Sequence, residues 1–335
     1  MKLIISILTL TLSACILICQ PVMAEESIRI LLHEDPHSPL PSDDTVELGS
    51  VDGKVFFNGK SYTGSLKFSR DENGLYIIND LPFEKYIEGV VASETGKKWE
   101  LEALKSQAVI SRTYAVFHRD KNPEKDFHLT SGTLHQEYSD ENISPMVRLA
   151  VEETAGQILT YGDHPISAFY HATCEGKTEL PEEVWSSSFP YFRSVDCNTR
   201  NAPYENWTVT FTFDEIEEAA GIKEIDEIDI SSYTSTGRVR TLRITAGDKE
   251  TGTSEIEIKA TDLRRLLGYR RLPSTDFRLK KEARSVILEG KGWGHGVGLS
   301  QWGALEMARQ GRNYREILEH YYPGTELKQV TTGNR

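Results

Sequence analysis

"LPFEKYIEGVVASE", Leu81 to Glu94, is the stretch where the chain changes its period. Phe83, Tyr86, Ile87 and Val90 recur at helical spacing behind Pro82, a residue favoured at the first position of a helix. Upstream, from Ser27 to Asn79, apolar residues fall instead in short alternating runs, "SIRILLH", "GKVFFNG", "SYTGSLKF" and "GLYIIN", which read as hairpin strands. Pro36 to Asp44, "PHSPLPSDD", is expected to be a surface loop. Downstream, a longer helix is expected from Glu100 to His118, with Leu101, Leu104, Ala108, Ser111 and Ala115 along one side. Ser144 is placed to cap a further helix, Pro145 to Thr154, closed by Gly156. A hairpin follows around Gly162 and Asp163. Strands "WTVTFTF", "RVRTLRITAG" and "TSEIEIKA" then accompany an acidic helical segment, Phe213 to Ala220. The end is helical again, after Ser300 and after an Asn313-x-x-Glu316 capping box. Strands and helices are mixed without regular βαβ alternation, so the fold class is α+β.

Composition narrows the functions open to the chain. Its 335 residues carry a formal net charge of −13, with no lysine or arginine tract. Nucleic-acid binding is excluded on that ground, because neutralising phosphates needs clustered cations. The first 24 residues combine Lys2, an apolar run from Leu3 to Cys19 and small or apolar residues before Ala24, the pattern of an export signal. A retained membrane anchor over Leu3–Cys19 and a lipobox at "LSAC", Leu12 to Cys15, are the alternatives; the apolar "ILIC" that follows disfavours the lipobox. Beyond the leader the cysteines are Cys174 and Cys197. Outside the cytoplasm a disulfide is their default state, with free or metal-bound thiols as the alternatives.

Three features carry chemistry. Glu94 stands at or just past the end of its helix, where the helix dipole and burial against Val90, Val91 and Ala92 raise a carboxyl pKa, while Lys97 and Lys98 oppose the rise. A raised pKa suits a general acid at neutral pH; a solvated surface carboxylate is the plain alternative. Lys105 and Arg112, seven residues apart, project from one side of the next helix, as substrate ligands or as a solvated face. Lastly, "GWGHGVGLSQWG", Gly292 to Gly303, alternates glycines with His295, Gln301, Trp293 and Trp302. Bare backbone, flat rings and neutral donors suit a sugar better than a phosphate, and the plain alternative is a turn whose tryptophans lie in the core. No HExxH or CxxC pattern accompanies the histidine, so no metal site and no cofactor is expected.

Together, "LPFEKYIEGVVASE", "ELEALKSQAVISRTYAV", "HQEYSD", "AFYHATCEGKTE", "TSTGRVRTL" and the glycine-rich block resemble the sporulation stage II protein D (SpoIID)/LytB family, in family order from about Tyr62 to Thr325. The resemblance implies a SpoIID-like catalytic domain with a glycan cleft between two lobes. It also implies a peptidoglycan target and, by way of members described as amidase enhancers, a cell-wall amidase as possible partner. Some members are lytic transglycosylases whose acid/base glutamate corresponds to Glu94. Lys105, Gln107, Arg112, Tyr114, His171, His295, Ser300 and Gln301 match motif positions and are the expected substrate-binding residues. The expected organisation is a leader (1–24), a β-rich part (25–80) and the SpoIID-like core (81–330), in a protein exported to the periplasm or wall space. Membrane contact is expected only through an uncleaved leader.

Two departures stand out. Thr95 and Gly96 replace the apolar-proline pair that usually follows the glutamate. The cysteine/histidine zinc cluster that some members hold before the "QxY" motif is not carried over, since "FHLTSGTLHQEY" offers His128 and His135 without a cysteine. The rival functions are a non-catalytic wall-binding module and a Cys–His hydrolase built on Cys174. The latter is disfavoured because residues three apart on a strand face opposite ways, unless a bulge intervenes.

Overall fold

A five-stranded sheet runs straight into the first helix. The computed structural model describes residues 26–35, 46–48, 54–57, 60–71, 74–96, 98–131, 135–197, 199, 202–248 and 252–330. The expected leader and the expected loop Pro36–Asp44 lie outside them. Strands Val46–Leu48, Ser65–Asp71, Gly74–Pro82, Ser27–Asp35 and Leu129–Thr130 lie side by side in that order, the last parallel to its neighbour. Pro82 still belongs to the sheet, paired with Ser27, and its extended ψ of 134° makes it the residue before the helix. Helix α1 therefore spans Phe83–Glu94, one residue later at its start than the proline suggested. It buries Phe83, Tyr86, Ile87, Val90 and Val91, the i, i+3, i+4, i+7, i+8 stripe of a core-facing helix.

Helix α2, Leu101–Lys121, is buried along most of its length and joins two cores. One of its faces packs with α1, the first sheet and α3 (Pro145–Glu153), which Ser144 caps by accepting from the Val147 amide at 3.2 Å. The other meets the hairpin of strands Gln157–Tyr161 and His164–Pro165, whose turn residues Gly162 and Asp163 both take positive φ. Tyr191, Phe192, Leu299, Ala304 and Tyr322 complete that second core. A short α4, Pro181–Trp185, precedes the aromatic turn at Phe189–Phe192.

Residues 207–288 build a third core of their own. Strands Trp207–Thr212, Ser285–Gly290 and Phe277–Glu282 form one sheet, and Ile225–Tyr233, Val239–Asp248 and Gly252–Lys259 form another. Helices α5 (Phe213–Ala220) and α6 (Ala260–Leu267) pack against them. The chain returns through the glycine-rich block, in which Leu299–Ser300 pairs in parallel with Tyr170–His171. It closes with α7 (Gln301–Arg309) and α8 (Tyr314–Tyr321), the latter opened by the expected Asn313–Glu316 capping box. The fold is α+β, as the sequence indicated. No helix among the described residues is long and apolar enough to cross a membrane.

Candidate functional site

Glu94 is the last residue of α1, and the two residues after it decide how it is presented. Thr95 donates both its amide (3.1 Å) and its hydroxyl (2.6 Å) to the Val91 carbonyl, finishing the last turn. The hydroxyl bond is what threonine adds over the apolar residue of the family pattern, and it tightens the helix end. A Cβ on Gly96 would overlap the Trp99 indole, which packs edge-on against Trp302 at 5.6 Å. Glycine there lets the ring fold across the helix end.

The Glu94 carboxylate is held by neutral donors from three parts of the chain. Oε1 accepts from the Glu137 amide at 2.9 Å and the Tyr170 hydroxyl at 3.0 Å, and Oε2 from the Gln301 amide at 3.1 Å. None of its hydrogen-bond partners among the described residues is a cation. Burial raises its pKa, and the negative charge of nearby Glu137 adds to the rise, while the three hydrogen bonds only partly oppose it. Lys98 is exposed and does not figure among the groups that shift it, and residue 97 lies outside the described residues. A protonatable carboxylic acid with a pre-built cradle for its own anion is the chemical content of this site.

The cradle continues outward as amides and hydroxyls. The Gln301 amide also approaches Gln107 Oε1 at 3.4 Å, and Gln107 donates to Ser111 at 3.0 Å. On the other side Gln136 hydrogen-bonds Tyr170 and accepts from Tyr86 at 3.0 Å. Sequence reasoning missed Tyr170, Gln136 and Glu137 as neighbours of Glu94. Tyr170 stood beside the singled-out His171, and the alternation of a strand was the signal that could have found it, since residues 170 and 171 point to opposite faces.

The glycine-rich block departs from its expected use. Gly292, Gly294, Gly296 and Gly298 all take positive φ. The space they leave, however, is filled by protein and not left for a ligand. A Cβ on Gly298 would overlap the Phe169 carbonyl, and one on Gly296 would press on the Arg238 guanidinium. Backbone bonds from Trp293 and Leu299 to Thr173 and Phe169 zip the block onto segment 169–173. The glycines are there so that two backbones can lie in contact.

The other expected ligands sort accordingly. His295 hydrogen-bonds the backbone of Tyr170, whose hydroxyl end holds Glu94; its ring packs on Trp185 at 4.8 Å and burial holds its pKa down at about 3. Ser300 is buried and caps α7 by accepting from the Gly303 amide at 3.2 Å. Tyr114 is buried against His118 at 4.3 Å, and His171 is buried with Nδ1 on the Val297 carbonyl at 3.2 Å. Arg112 is fully buried, forked onto Glu84 at 2.9 and 2.7 Å and donating to the Gln157 carbonyl at 3.1 Å. Lys105 lies between Glu102 and Glu153, both at 2.7 Å. Arg112 and Lys105 thus share no polar partner with Glu94. The structure brings together Glu94, Gln301 and Gln107, ties His295 to them only through Tyr170, and turns both cations to the protein's own carboxylates.

Cys174 and Cys197 form a disulfide, with Cα atoms 6.0 Å apart, which removes the free thiol that a Cys–His hydrolase needs. His171 and Cys174 nevertheless do meet, contrary to strand alternation, because the strand ends at His171 and the chain bends at Ala172.

Comparison with known proteins is consistent with this geometry. Residues 71–161 match a family described as Stage II sporulation protein, and residues 198–298, which enclose the third core, match a domain of unknown function (DUF8618). An uncharacterized protein of Brachyspira hyodysenteriae is 34% identical over 83% of this chain and 75% of its own length. The stage II sporulation protein D of Bacillus amyloliquefaciens is 31% identical over 76% of each chain. The amidase enhancer of Bacillus subtilis is 29% identical over 83% of this chain but only 45% of its own. With 31% identity over 76% of both chains and a family model matching the segment that carries Glu94, the chain belongs to the stage II sporulation protein D family.

Proposed function

We propose that this protein is a peptidoglycan lytic transglycosylase whose single acid/base is Glu94. The observation that carries the proposal is a desolvated carboxyl group held only by neutral donors among the described residues, in a family tied by name to sporulation and to amidase enhancement. Two-carboxylate glycosidases need a second acid as nucleophile or base for water. A lytic transglycosylase does both jobs with one. Protonated Glu94 gives its proton to the oxygen leaving C1 of MurNAc towards GlcNAc. The resulting carboxylate, stabilised by Tyr170, Gln301 and the Glu137 amide, then takes the proton of the muramyl C6 hydroxyl as that oxygen closes onto C1. The products are a free GlcNAc end and a 1,6-anhydro-MurNAc end, and no water is consumed. Peptide-stripped strands are the preferred substrate in this reading, with an amidase supplying them, and the enzyme works outside the cytoplasm after export on residues 1–24.

The match to the amidase enhancer supports a second reading, a wall-binding module that stimulates an amidase without cleaving glycan itself. Mass spectrometry of products from intact and amidase-treated peptidoglycan separates the two. Anhydro-muramyl ends that vanish with Glu94→Gln are expected. Binding without cleavage of either substrate would leave the enhancer reading, and reducing MurNAc ends would instead indicate a hydrolase.

A further inference from the structure

The buried ring of His171 has one nitrogen with nothing to do. Nδ1 faces the Val297 carbonyl at 3.2 Å and, as the ring is neutral, donates to it. The remaining lone pair is therefore on Nε2, which has no hydrogen-bond partner among the described residues. A buried acceptor left unmatched in this way is costly unless something occupies it. Beside the ring lies sulfur: a ring nitrogen of His171 and the Sγ atoms of Cys174 and Cys197 are all within 4.8 Å of one another. All three residues are buried, at 4%, 1% and 0% exposure.

We propose that these residues form a redox-gated zinc site, closed while the disulfide stands and opened to Zn(II) when a dithiol reduces it. The reduction transfers two electrons and two protons from the dithiol, leaving two cysteine thiols and an oxidised dithiol. Zinc then displaces both thiol protons and takes the bare histidine nitrogen without displacing any. Two thiolates, a neutral imidazole and a divalent ion sum to no net charge, which suits so buried a place. Tetrahedral zinc with bonds of about 2.3 Å to sulfur and 2.0–2.1 Å to nitrogen needs ligand atoms roughly 3.5–3.8 Å apart, so the two sulfurs must part once their bond is reduced while the histidine nitrogen, already within 4.8 Å, draws in. The Val297 carbonyl already fixes the tautomer that leaves the Nε2 lone pair free for a metal. Three separate connections hold the ligands in place: Tyr170–His171 is paired to Leu299–Ser300, Gly176 is paired to Cys197, and Thr173 is bridged to Trp293. This is a different place from residues 127–138, where some family members hold zinc. It adjoins the glutamate as well, since Tyr170, whose hydroxyl holds Glu94, precedes His171 in the chain. The proposal does not depend on the glycan chemistry.

The test is zinc retention by the purified full chain. Oxidised and dithiol-reduced samples are equilibrated with Zn(II) in the absence of oxygen, desalted and measured by atomic emission, with circular dichroism as the check on folding. One zinc per chain is expected in the folded reduced protein, none in the oxidised protein, and a release of two protons per zinc bound. His171→Gln, which leaves the disulfide and its loop intact, is expected to lose the zinc after reduction; Cys174→Ser is expected to lose it too. Equal retention in reduced and oxidised protein, no retention in a reduced chain whether folded or not, or unchanged retention in reduced His171→Gln would each overturn the proposal.

Discussion

Helix α1 carries two carboxylates at its two ends that have had opposite fates. Glu84, in the first turn, takes a two-pronged bond from the fully buried Arg112 and accepts from the Gly156 amide at 3.2 Å. Glu94, in the last turn, is surrounded by a tyrosine, a glutamine and a backbone amide. A carboxylate forked onto a guanidinium has its oxygens taken up by that pair and fastens helices together. One facing only neutral donors keeps its proton within reach and is able to give it away and take it back. Burial together with the lack of a cationic partner separates the chemical acid from the structural one.

Substitutions at the two ends sharpen that contrast. The largest effect is expected from Glu94→Gln, which removes the acid/base of the proposed reaction: glycan cleavage should fall by about 10³-fold or more in a product assay, with binding retained. The same variant has a stability signature. Because the folded protein holds the Glu94 proton more tightly than the unfolded chain does, ionising it costs stability as pH rises from the unfolded pKa through the raised folded one. Chemical denaturation at neutral pH should therefore find Glu94→Gln as stable as the parent or more so. A loss of stability there would show that the carboxylate serves the fold and would erase the contrast.

Glu84→Gln should do the reverse. It leaves the Arg112 guanidinium buried without its counter-charge, an expected loss of about 3 kcal/mol in denaturant unfolding, with cleavage per folded molecule little changed. Gly298→Ala tests the glycine block in the same terms. The positive φ alone costs about 1–3 kcal/mol, and overlap with the Phe169 carbonyl adds to it, so lowered stability is the expected outcome, with affinity for glycan unaltered in the fraction still folded. Weaker glycan binding at full stability would restore the reading of bare backbone as a sugar surface.

The smallest expected effect is a shift along the pH axis. Tyr170→Phe and Gln301→Leu each remove a hydrogen bond to the ionised form of Glu94, so its pKa should rise further. Cleavage requires the protonated acid at the start, so activity falls as pH climbs through that pKa, and in both variants this fall should move to higher pH. A pH–rate profile that keeps its position while its height drops would mean that these residues contact substrate and do not tune the acid.

Much of this was legible in the primary structure because it is local. The switch from alternating runs to helical spacing at Pro82, the Ser144 cap, the Asn313–Glu316 box and the Gly162–Asp163 turn each depend on a few neighbouring residues and were realised where expected. Glu94 was placed at a helix end by the same short-range logic. What pairs with what was not legible. Arg112 and Lys105 carry the same chemistry whether they meet a sugar or a carboxylate; Glu102, one turn before Lys105, is a local partner, but only packing brings Glu84 to Arg112 and Glu153 to Lys105. Likewise the glycines announced positive φ but not what would occupy the space beside them.

The sequence by itself determined the class of fold, the family motifs and the one carboxylate worth singling out, since periodicity, caps and helix ends are written in contiguous residues. Only the tertiary structure decided that Tyr170, Gln301 and the Glu137 amide converge on Glu94, that Cys174 joins Cys197, and that the histidine beside them is left with a bare nitrogen. The reason is physical. Hydrogen bonds and disulfides act over about 3 Å in space, and folding, not chain order, sets which groups come within that range.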